Sequence, residues 1–470
     1  MGDLTLFLPE TTILLGALLA LTATCVRVPY AVVWTSSVLM AAAGVVVTAL
    51  MLNAEGQPFF EGIYTVDAFS QSLKLGVVAG LLLTLLASGR PGSIRAWTRP
   101  DVPFFLFLSA LGMMMLMSAT ELLTLFVALE LSAYGLYVLA ALHRSQREGS
   151  EAAVKYILFG AAASGVTIYG VSLLFGTTQT TYLDEVTRQL DSPLGLVGAL
   201  LAISGVLFKL AVFPFHAWAP DTYQGAPHEA ATFIGTASKV AAVGALARLL
   251  AIVGPEEPTV TNVLLVLCVA SMFIGNLAAI VQQDFKRLLA YSTIAHAGYL
   301  MIGLACLTEA GVAAAIFYAL IYVPMAFCAF LVVCVVGADG SNPSKASLAG
   351  LHARNPLIAA SLMVGMFALA GIPPTCGFAG KWFLFSAAID AGFFWLVLVG
   401  AINATVSLYY YLRVIREAYL APPAAETPIE AGPAASLAAW VGVALVVVAG
   451  FYPTPIWEMA ERAAAALVGG

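Results

Sequence analysis

Five lysines, Lys74, Lys155, Lys209, Lys239 and Lys381, lie in stretches that otherwise read as apolar helix, and one carboxylate, Glu130, shares that setting. A charged side chain at the middle of a bilayer costs about 3 kcal/mol on insertion scales. Six such groups in one chain therefore need a purpose beyond packing. Lysines and a carboxylate can take up and return protons, so the chemistry they suggest is proton transfer along a polar path. Desolvation makes a buried lysine readier to give up its proton, and a nearby charge tunes that readiness. Glu130, in Leu129-Glu130-Leu131-Ser132, is expected to pair with Lys209. Lys239, flanked by small residues in Gly235-Thr236-Ala237-Ser238-Lys239, is placed to carry a proton onward, and Lys381 reads as the later counterpart of Lys209. His296, with Ser292, Thr293 and Tyr299 nearby in sequence, suits a relay. Lys155, which follows a loop, is a further candidate for the relay, or its long stem snorkels to the interface. Lys74 reads as structural or path-lining. His216 and His228 are candidates to feed protons in, and Tyr409, Tyr410 and Tyr411 either line a wet axis or form an interfacial belt.

The elements that must hold these groups are membrane spans. The chain has 470 residues, of which 61% are hydrophobic and 10% charged, with mean hydropathy +0.95. That composition excludes a soluble globular protein and gives no footing for a nucleic-acid partner; the partner it demands is a lipid bilayer. A span needs about 20 apolar residues. The expected fold is an all-α polytopic membrane protein of about 14 transmembrane helices. They start near Leu4, Ala31, Ala68, Val102, Leu122, Ala152, Pro193, Ala230, Thr261, Leu289, Gly311, Leu357, Phe393 and Ala435. The first lacks a basic leader, so a cleavable signal peptide is not expected.

Cations sort cleanly on this count. Arg27, Arg90, Arg95, Arg99, Arg144, Arg147, Lys286, Arg287, Lys345, Arg354, Arg413 and Arg416 fall in loops on one side. Arg188, Arg248 and Arg462 fall on the other. The positive-inside rule then places both termini outside, in the periplasm of a bacterial plasma (inner) membrane. Of the six cysteines, none has CxxC spacing, so disulfides and metal sites are not expected. There is no phosphate-binding glycine turn, P-loop or cysteine run, hence no expected nucleotide, flavin or iron–sulfur site in this chain.

Two spans are interrupted. The first break runs Phe208-Lys209-Leu210-Ala211-Val212-Phe213-Pro214-Phe215-His216-Ala217-Trp218-Ala219-Pro220-Asp221, and the second Ala370-Gly371-Ile372-Pro373-Pro374-Thr375-Cys376-Gly377-Phe378-Ala379-Gly380-Lys381. Proline removes a helical hydrogen bond, and freed backbone groups survive in a bilayer only where protein or water meets them. Broken helices at corresponding places in two halves point to an ion site. The breaks fall in the seventh and twelfth spans, five apart. An odd interval makes successive copies inverted. Two inverted five-helix repeats follow, over 102–258 and 259–420, with residues 1–101 (three helices) and 421–470 (one helix) as additions.

These strings resemble the antiporter-like, proton-translocating membrane subunits of respiratory complex I, with the subunit N branch nearest. The resemblance is carried by Val154-Lys155-Tyr156 to Ser164-Gly165, by Phe208-Lys209 to Tyr223-Gln224-Gly225-Ala226-Pro227, by Lys286-Arg287 to His296-Ala297-Gly298-Tyr299, and by Gly371 to Lys381. It covers most of the chain. It implies a proton relay of Glu130 with Lys209, then Lys239 and Lys381, coupled to electron transfer in partner subunits of the membrane arm. It implies no cofactor in this chain: NAD, flavin, iron–sulfur clusters and quinone belong to partners, and the chain is part of an NADH:quinone oxidoreductase-type translocase without a redox centre of its own. A cation/proton (Na⁺/H⁺) antiporter subunit is the alternative. The sequence departs from the pattern at Gln224, where an acid is usual, and at His228-Glu229, where a hydroxyl residue and proline are usual.

Overall fold

The computed structural model describes residues 4–53, 56–89, 92–143, 147–188, 192–251, 258–423 and 427–468. Arg90 and Arg144, and the side chain of Arg188, lie outside the described residues. The chain is helical almost throughout. Three helices come first: α1 (Leu8–Cys25), α2 (Tyr30–Leu50) and α3 (Ala68–Ala87). A two-stranded antiparallel hairpin, β1 (Gln57–Phe59) with β2 (Tyr64–Val66), joins α2 to α3. Asp67 then starts α3 with a reciprocal cap: its carboxylate accepts from Ser70 N, and Ser70 Oγ accepts from Asp67 N.

The next stretch holds α4 (Asp101–Ser118), α5 (Leu122–Ala141), α6 (Arg147–Thr178), the short α7 (Leu183–Arg188), α8 (Pro193–Ala202), α9 (Ser204–Leu210), α10 (Trp218–Gly225), α11 (His228–Gly235) and α12 (Ala237–Leu250). Then come α13 (Pro258–Val281), α14 (Phe285–Ala305), α15 (Glu309–Val336), the one-turn α16 (Leu351–Arg354), α17 (Pro356–Ala370), α18 (Cys376–Asp390) and α19 (Phe394–Leu420). The chain finishes with α20 (Pro433–Phe451) and α21 (Thr454–Val468).

Among the described residues, 13 helices are long and apolar enough to cross a membrane. The remaining expected span is the second broken one, divided between α17 and α18. All fourteen expected spans thus have a helix. Beyond the spans, the small hairpin departs from the all-α expectation, and the longest helix that was not expected is α21. Its Ala460, Ala463 and Ala464 are buried while Glu458, Glu461 and Arg462 are not, so it lies as an amphipathic cover on α3 and α15. Trp457 stacks on Phe383 with ring centroids 4.0 Å apart. Its mixed face was too polar and too short for a span-finding ruler.

Burial is uneven in a way that defines the interior. The most buried spans are α11–α12, α14, α15 and α3, whereas α1, α2, α6, α19 and α20 turn much of their apolar surface outward. In a soluble protein that exposed belt would be a liability; in lipid it is the solvated surface. The two ends of the bundle are distinct. At one end lie the hairpin, the Arg248–Asp67 ion pair and the Arg462–Asn53 contact. At the other lie the bridge between Asp284, in the α13–α14 loop, and Ser344, in the loop after α15, and the broken segment around Asp221.

Candidate functional site

Each break is a helix end inside the protein. At the first, α9 stops because Ala211 adopts a left-handed conformation (φ 64°). At the second, α17 stops at Gly371 in the same region (φ 85°), which glycine adopts without a Cβ penalty. A helix end strands its last carbonyls and carries partial negative charge. Both ends are met in the same way. Lys239 Nζ donates to the carbonyls of Lys209 and Leu210, at 3.0 and 3.2 Å. Lys381 Nζ donates to the carbonyls of Leu369 and Ala370, at 3.1 and 2.7 Å. In each case these are the last two residues before the left-handed one. Each ammonium also lies over an aromatic face, Lys239 on Trp218 at 5.4 Å and Lys381 on Tyr299 at 4.9 Å. By contacts, then, the counterpart of Lys381 is Lys239, where sequence position had suggested Lys209.

Lys209 and Glu130 are not in contact as an ion pair. Lys209 Nζ donates to Ser132 Oγ at 2.7 Å. The Glu130 carboxylate accepts a short hydrogen bond from Ser164 of α6 and is only half-buried. The physical reason is helix geometry. Residues two apart project from different faces of a helix, so a lysine drawn to the Ser132 face of α5 does not meet Glu130. The serine between them is the residue that sequence reading missed. Its signal was a hydroxyl two places after the only mid-span acid.

Helices α14, α15 and α19 hold a set of hydroxyls around His296. Its Nδ1 is 2.8 Å from Tyr318 Oη and its Nε2 3.1 Å from Tyr411 Oη. Tyr411 Oη is in turn 2.5 Å from Ser292 Oγ, and Thr293 Oγ1 is 3.0 Å from Tyr322 Oη. The imidazole thus sits between two phenols, each able to donate or accept. The three consecutive tyrosines of α19 divide: Tyr410 and Tyr411 are buried, and Tyr409 is 54% exposed. They are neither all belt nor all interior.

At the loop end, Lys155 pairs with Glu151 at 2.7 Å and Asp221 at 2.6 Å, and its side chain is 36% exposed. Its ammonium is held by two carboxylates and is not enclosed as those of Lys209, Lys239 and Lys381 are. Arg287 Nη1 reaches the other oxygen of Asp221 at 2.5 Å and Gln224 Oε1 at 3.1 Å. Burial acts to raise the Asp221 carboxyl, but hydrogen bonds and charge from Lys155 and Arg287 outweigh it and hold the group below its ordinary value. Burial pulls the His216 imidazole down. His228 is buried, with Nε2 3.0 Å from Gly337 O and Nδ1 3.4 Å from Lys286 Nζ.

Two loop cations of the sequence reading are interior groups. Lys286 is fully buried, donates to Ala226 O at 2.7 Å, and occupies the first turn of α14. Arg248 is buried against Met117 O and Asp67. Glu130 is also not the only interior acid. Glu10, at 6% exposure, contacts Lys74 Nζ at 2.6 Å, and Lys74 has no exposed surface. Glu229 is buried and accepts from Ser93 Oγ at 3.1 Å. All four stand in the first or last turns of helices, where hydropathy cannot separate a buried end from a wet one.

Comparisons with known proteins agree with this architecture. The family described as NADH:quinone oxidoreductase/Mrp antiporter, TM, matches residues 119–407. NADH-quinone oxidoreductase subunit N 2 of Syntrophobacter fumaroxidans is 48% identical over 438 residues, covering 92% of this chain and 93% of its own length. Subunit N of Nitrosomonas europaea is 37% identical over 426 residues, covering 89% and 88%. A chain of respiratory complex I from Thermus thermophilus superposes with TM-score 0.82 at 32% identity, covering 96% of this chain and 98% of that one. A chain of the Mrp complex from Dietzia sp. DQ12-45-1b shares the fold, with TM-score 0.90 at 21% identity and coverage of 100% and 98%. The chain belongs to the NADH:quinone oxidoreductase/Mrp antiporter transmembrane family.

Proposed function

We propose that this chain is a proton-translocating membrane-arm subunit of a complex I-type quinone oxidoreductase. The observation that carries the reading is the doubled cradle: a buried lysine on the last two carbonyls of a broken helix, Lys239 at the first break and Lys381 at the second. Nothing in packing requires that arrangement twice. An ammonium held by carbonyl oxygens and a ring face can lose its proton to a neighbouring acceptor and regain it from another without moving its stem.

The relay we infer starts at Glu130, which is half-buried on α5 and which we assign to the side facing a neighbouring subunit. A charge change there alters Glu130 and Ser164, then Lys209 through Ser132. Lys209 and Lys239 meet at the same helix end, since Lys239 holds the Lys209 carbonyl. The proton passes by way of Lys239 toward the His296 hydroxyl set and Lys381. Protons load from the face that carries Lys155, Asp221 and Arg287. We assign that face to the cytoplasm of a bacterial inner membrane, with both termini outside. Residues 102–258 and 259–420 act as two inverted repeats, with 1–101 and 421–470 as additions. NAD, flavin, iron–sulfur clusters and quinone are assigned to partner subunits, and this chain contributes proton movement to their oxidoreductase reaction.

The test is proton pumping per quinone reduced, measured with the whole complex in sealed vesicles. Lys381→Ala should lower it while Arg95→Ala, in an exposed loop, should not. Equal pumping by the two variants overturns the proposal. The likeness in fold to an Mrp chain favours one second reading, a cation/proton antiporter subunit. Sodium-dependent proton exchange in vesicles without any electron donor would decide for it.

A further inference from the structure

The relay leaves unused the most enclosed ion pair of the molecule. Glu10 of α1 and Lys74 of α3 are both buried and 2.6 Å apart. Tyr64 of the hairpin donates to the same Glu10 oxygen at 2.6 Å, and Lys74 Nζ lies 5.4 Å from the Tyr64 ring. The other Glu10 oxygen, both amide atoms of Gln71 and Ser118 Oγ are buried with no protein partner. Buried polar atoms of this kind are ordinarily met by internal water. Four unmet atoms from three helices, beside a carboxylate and an ammonium, are the groups that internal water would bridge.

Its position gives it a direction. Asp67, Gln71 and Lys74 follow the spacing of one helix face. Asp67 binds Arg248 of α12 at 3.0 Å at the end of the bundle that holds the hairpin. Deeper on the same face come Val78, Leu81 and Leu85, all buried and apolar. The polar stripe therefore runs over the first turns of α3, from the Asp67–Arg248 pair inward to Lys74, and ends in apolar packing on its deeper side. It stops close to the relay. α3 packs antiparallel on α12, the helix of Lys239: Cβ atoms at Gly80 and Gly76 would lie 2.8 Å from Ala237 and 3.2 Å from Val240, and one at Gly244 would lie 2.7 Å from Leu73. In that register Lys74 stands about four residues, or roughly 6 Å of helix rise, beyond the level of Lys239.

We propose that this face of α3, completed by Glu10 and Tyr64, is the outward proton-release route of the chain, with Glu10 and Lys74 as its innermost station. It rests on the proton-translocation reading above. A proton arriving on water binds the free Glu10 oxygen, forming one O–H bond as the donor's bond breaks. Lys74 then has no counter-charge, and a buried ammonium without one is strongly disfavoured. The proton is passed on through water at Gln71, the carboxylate is restored, and the ion pair re-forms. The charged groups facing the station are Glu10 from α1, Lys74 and Asp67 from α3, and Arg248 from α12, with the Tyr64 phenol from the hairpin.

The test uses the assembled complex in sealed vesicles, read by protons pumped per quinone reduced and by the infrared difference spectrum during turnover. Glu10→Gln should lower the ratio and remove a carboxylic C=O band. The neutral double variant Glu10→Gln/Lys74→Met should remain as impaired. If the double variant pumps like the unaltered complex, the pair is structural and the route is wrong. Should Glu10→Gln fail to assemble, Gln71→Leu interrupts the route without leaving a charge unpaired; a lowered ratio supports the route and an unchanged one overturns it. Lys381→Ala is run alongside. If it is impaired while every release variant is normal, only the release route falls; if it too pumps normally, the relay itself falls.

Discussion

At the residue scale the chain solves one electrostatic problem twice. A helix end inside a membrane protein exposes carbonyls that nothing apolar can satisfy, and a lysine in the same place needs acceptors. Each is the other's partner. Replacing Lys239 with Met strands the carbonyls of Lys209 and Leu210, and a buried acceptor left unmet costs about 1–3 kcal/mol. Lys239→Met is therefore expected to lower both the melting temperature of the complex and its pumping. Ser132→Ala separates the two effects differently. It removes the hydrogen bond that the Lys209 ammonium makes, so pumping should fall, whereas Thr405→Ala, at an exposed helix position, should leave it unchanged. Comparable pumping by the two would remove Ser132 from the relay. Neither the serine nor the lysine–carbonyl contacts were legible in the sequence. The lysines were, because their cost in lipid makes them conspicuous; their partners were backbone atoms, and every residue has those.

At the element scale the breaks depend on close approach. A Cβ at Gly377 would lie 1.8 Å from the Ala368 carbonyl oxygen, so α17 and α18 fold back on one another only if that side chain is absent. Gly377→Ala must push the two halves apart. Overpacking of a fitted interior costs about 1–3 kcal/mol, and the displaced α17 end would also carry its carbonyls away from Lys381. Pumping and thermal stability should both drop. Gly392 makes the control: its φ is 83° but nothing lies within 4 Å of the added atom, so Gly392→Ala carries only the left-handed penalty of about 1–2 kcal/mol and should pump normally. Similar pumping losses for the two variants would mean that backbone strain, and not the fold-back, was being measured. The sequence showed both breaks plainly through their prolines and glycines. It did not show α21, because an amphipathic cover of 15 residues resembles neither a span nor a loop by hydropathy.

At the scale of the whole molecule, α6, α10 and α14 are clamped at the loop end through Asp221. Lys155 of α6 holds one of its oxygens and Arg287 of α14 the other. The carboxyl is held below its ordinary value of 3.8, so its contribution to stability is present above that pH and is lost as the pH falls through the lower folded value. Asp221→Asn should accordingly melt at a lower temperature than the unaltered complex at neutral pH, and the gap should narrow in acid below 3.8. A gap that stays constant across that range would show that the clamp is not electrostatic. The same end gathers Lys286, His228 and Glu229 in buried positions, and of these Lys286 had been counted as a loop cation. The count still sorted the chain correctly into spans, since a few misplaced terminal residues do not alter its parity.

The sequence by itself determined the class of protein, the number and order of spans, the two breaks, the interior lysines and the family. Each of these rests on a local quantity: the hydropathy of about 20 residues, the missing N–H of proline, or the cost of one charge in lipid. Tertiary structure decided the partners. Which face of α5 meets Lys209, which carbonyls hold Lys239 and Lys381, that Glu10 joins Lys74 across 64 positions of chain, and that Tyr411 but not Tyr409 reaches His296 all depend on how helices are rotated against one another. That rotation is set by packing summed over the whole bundle, and no window of sequence contains it.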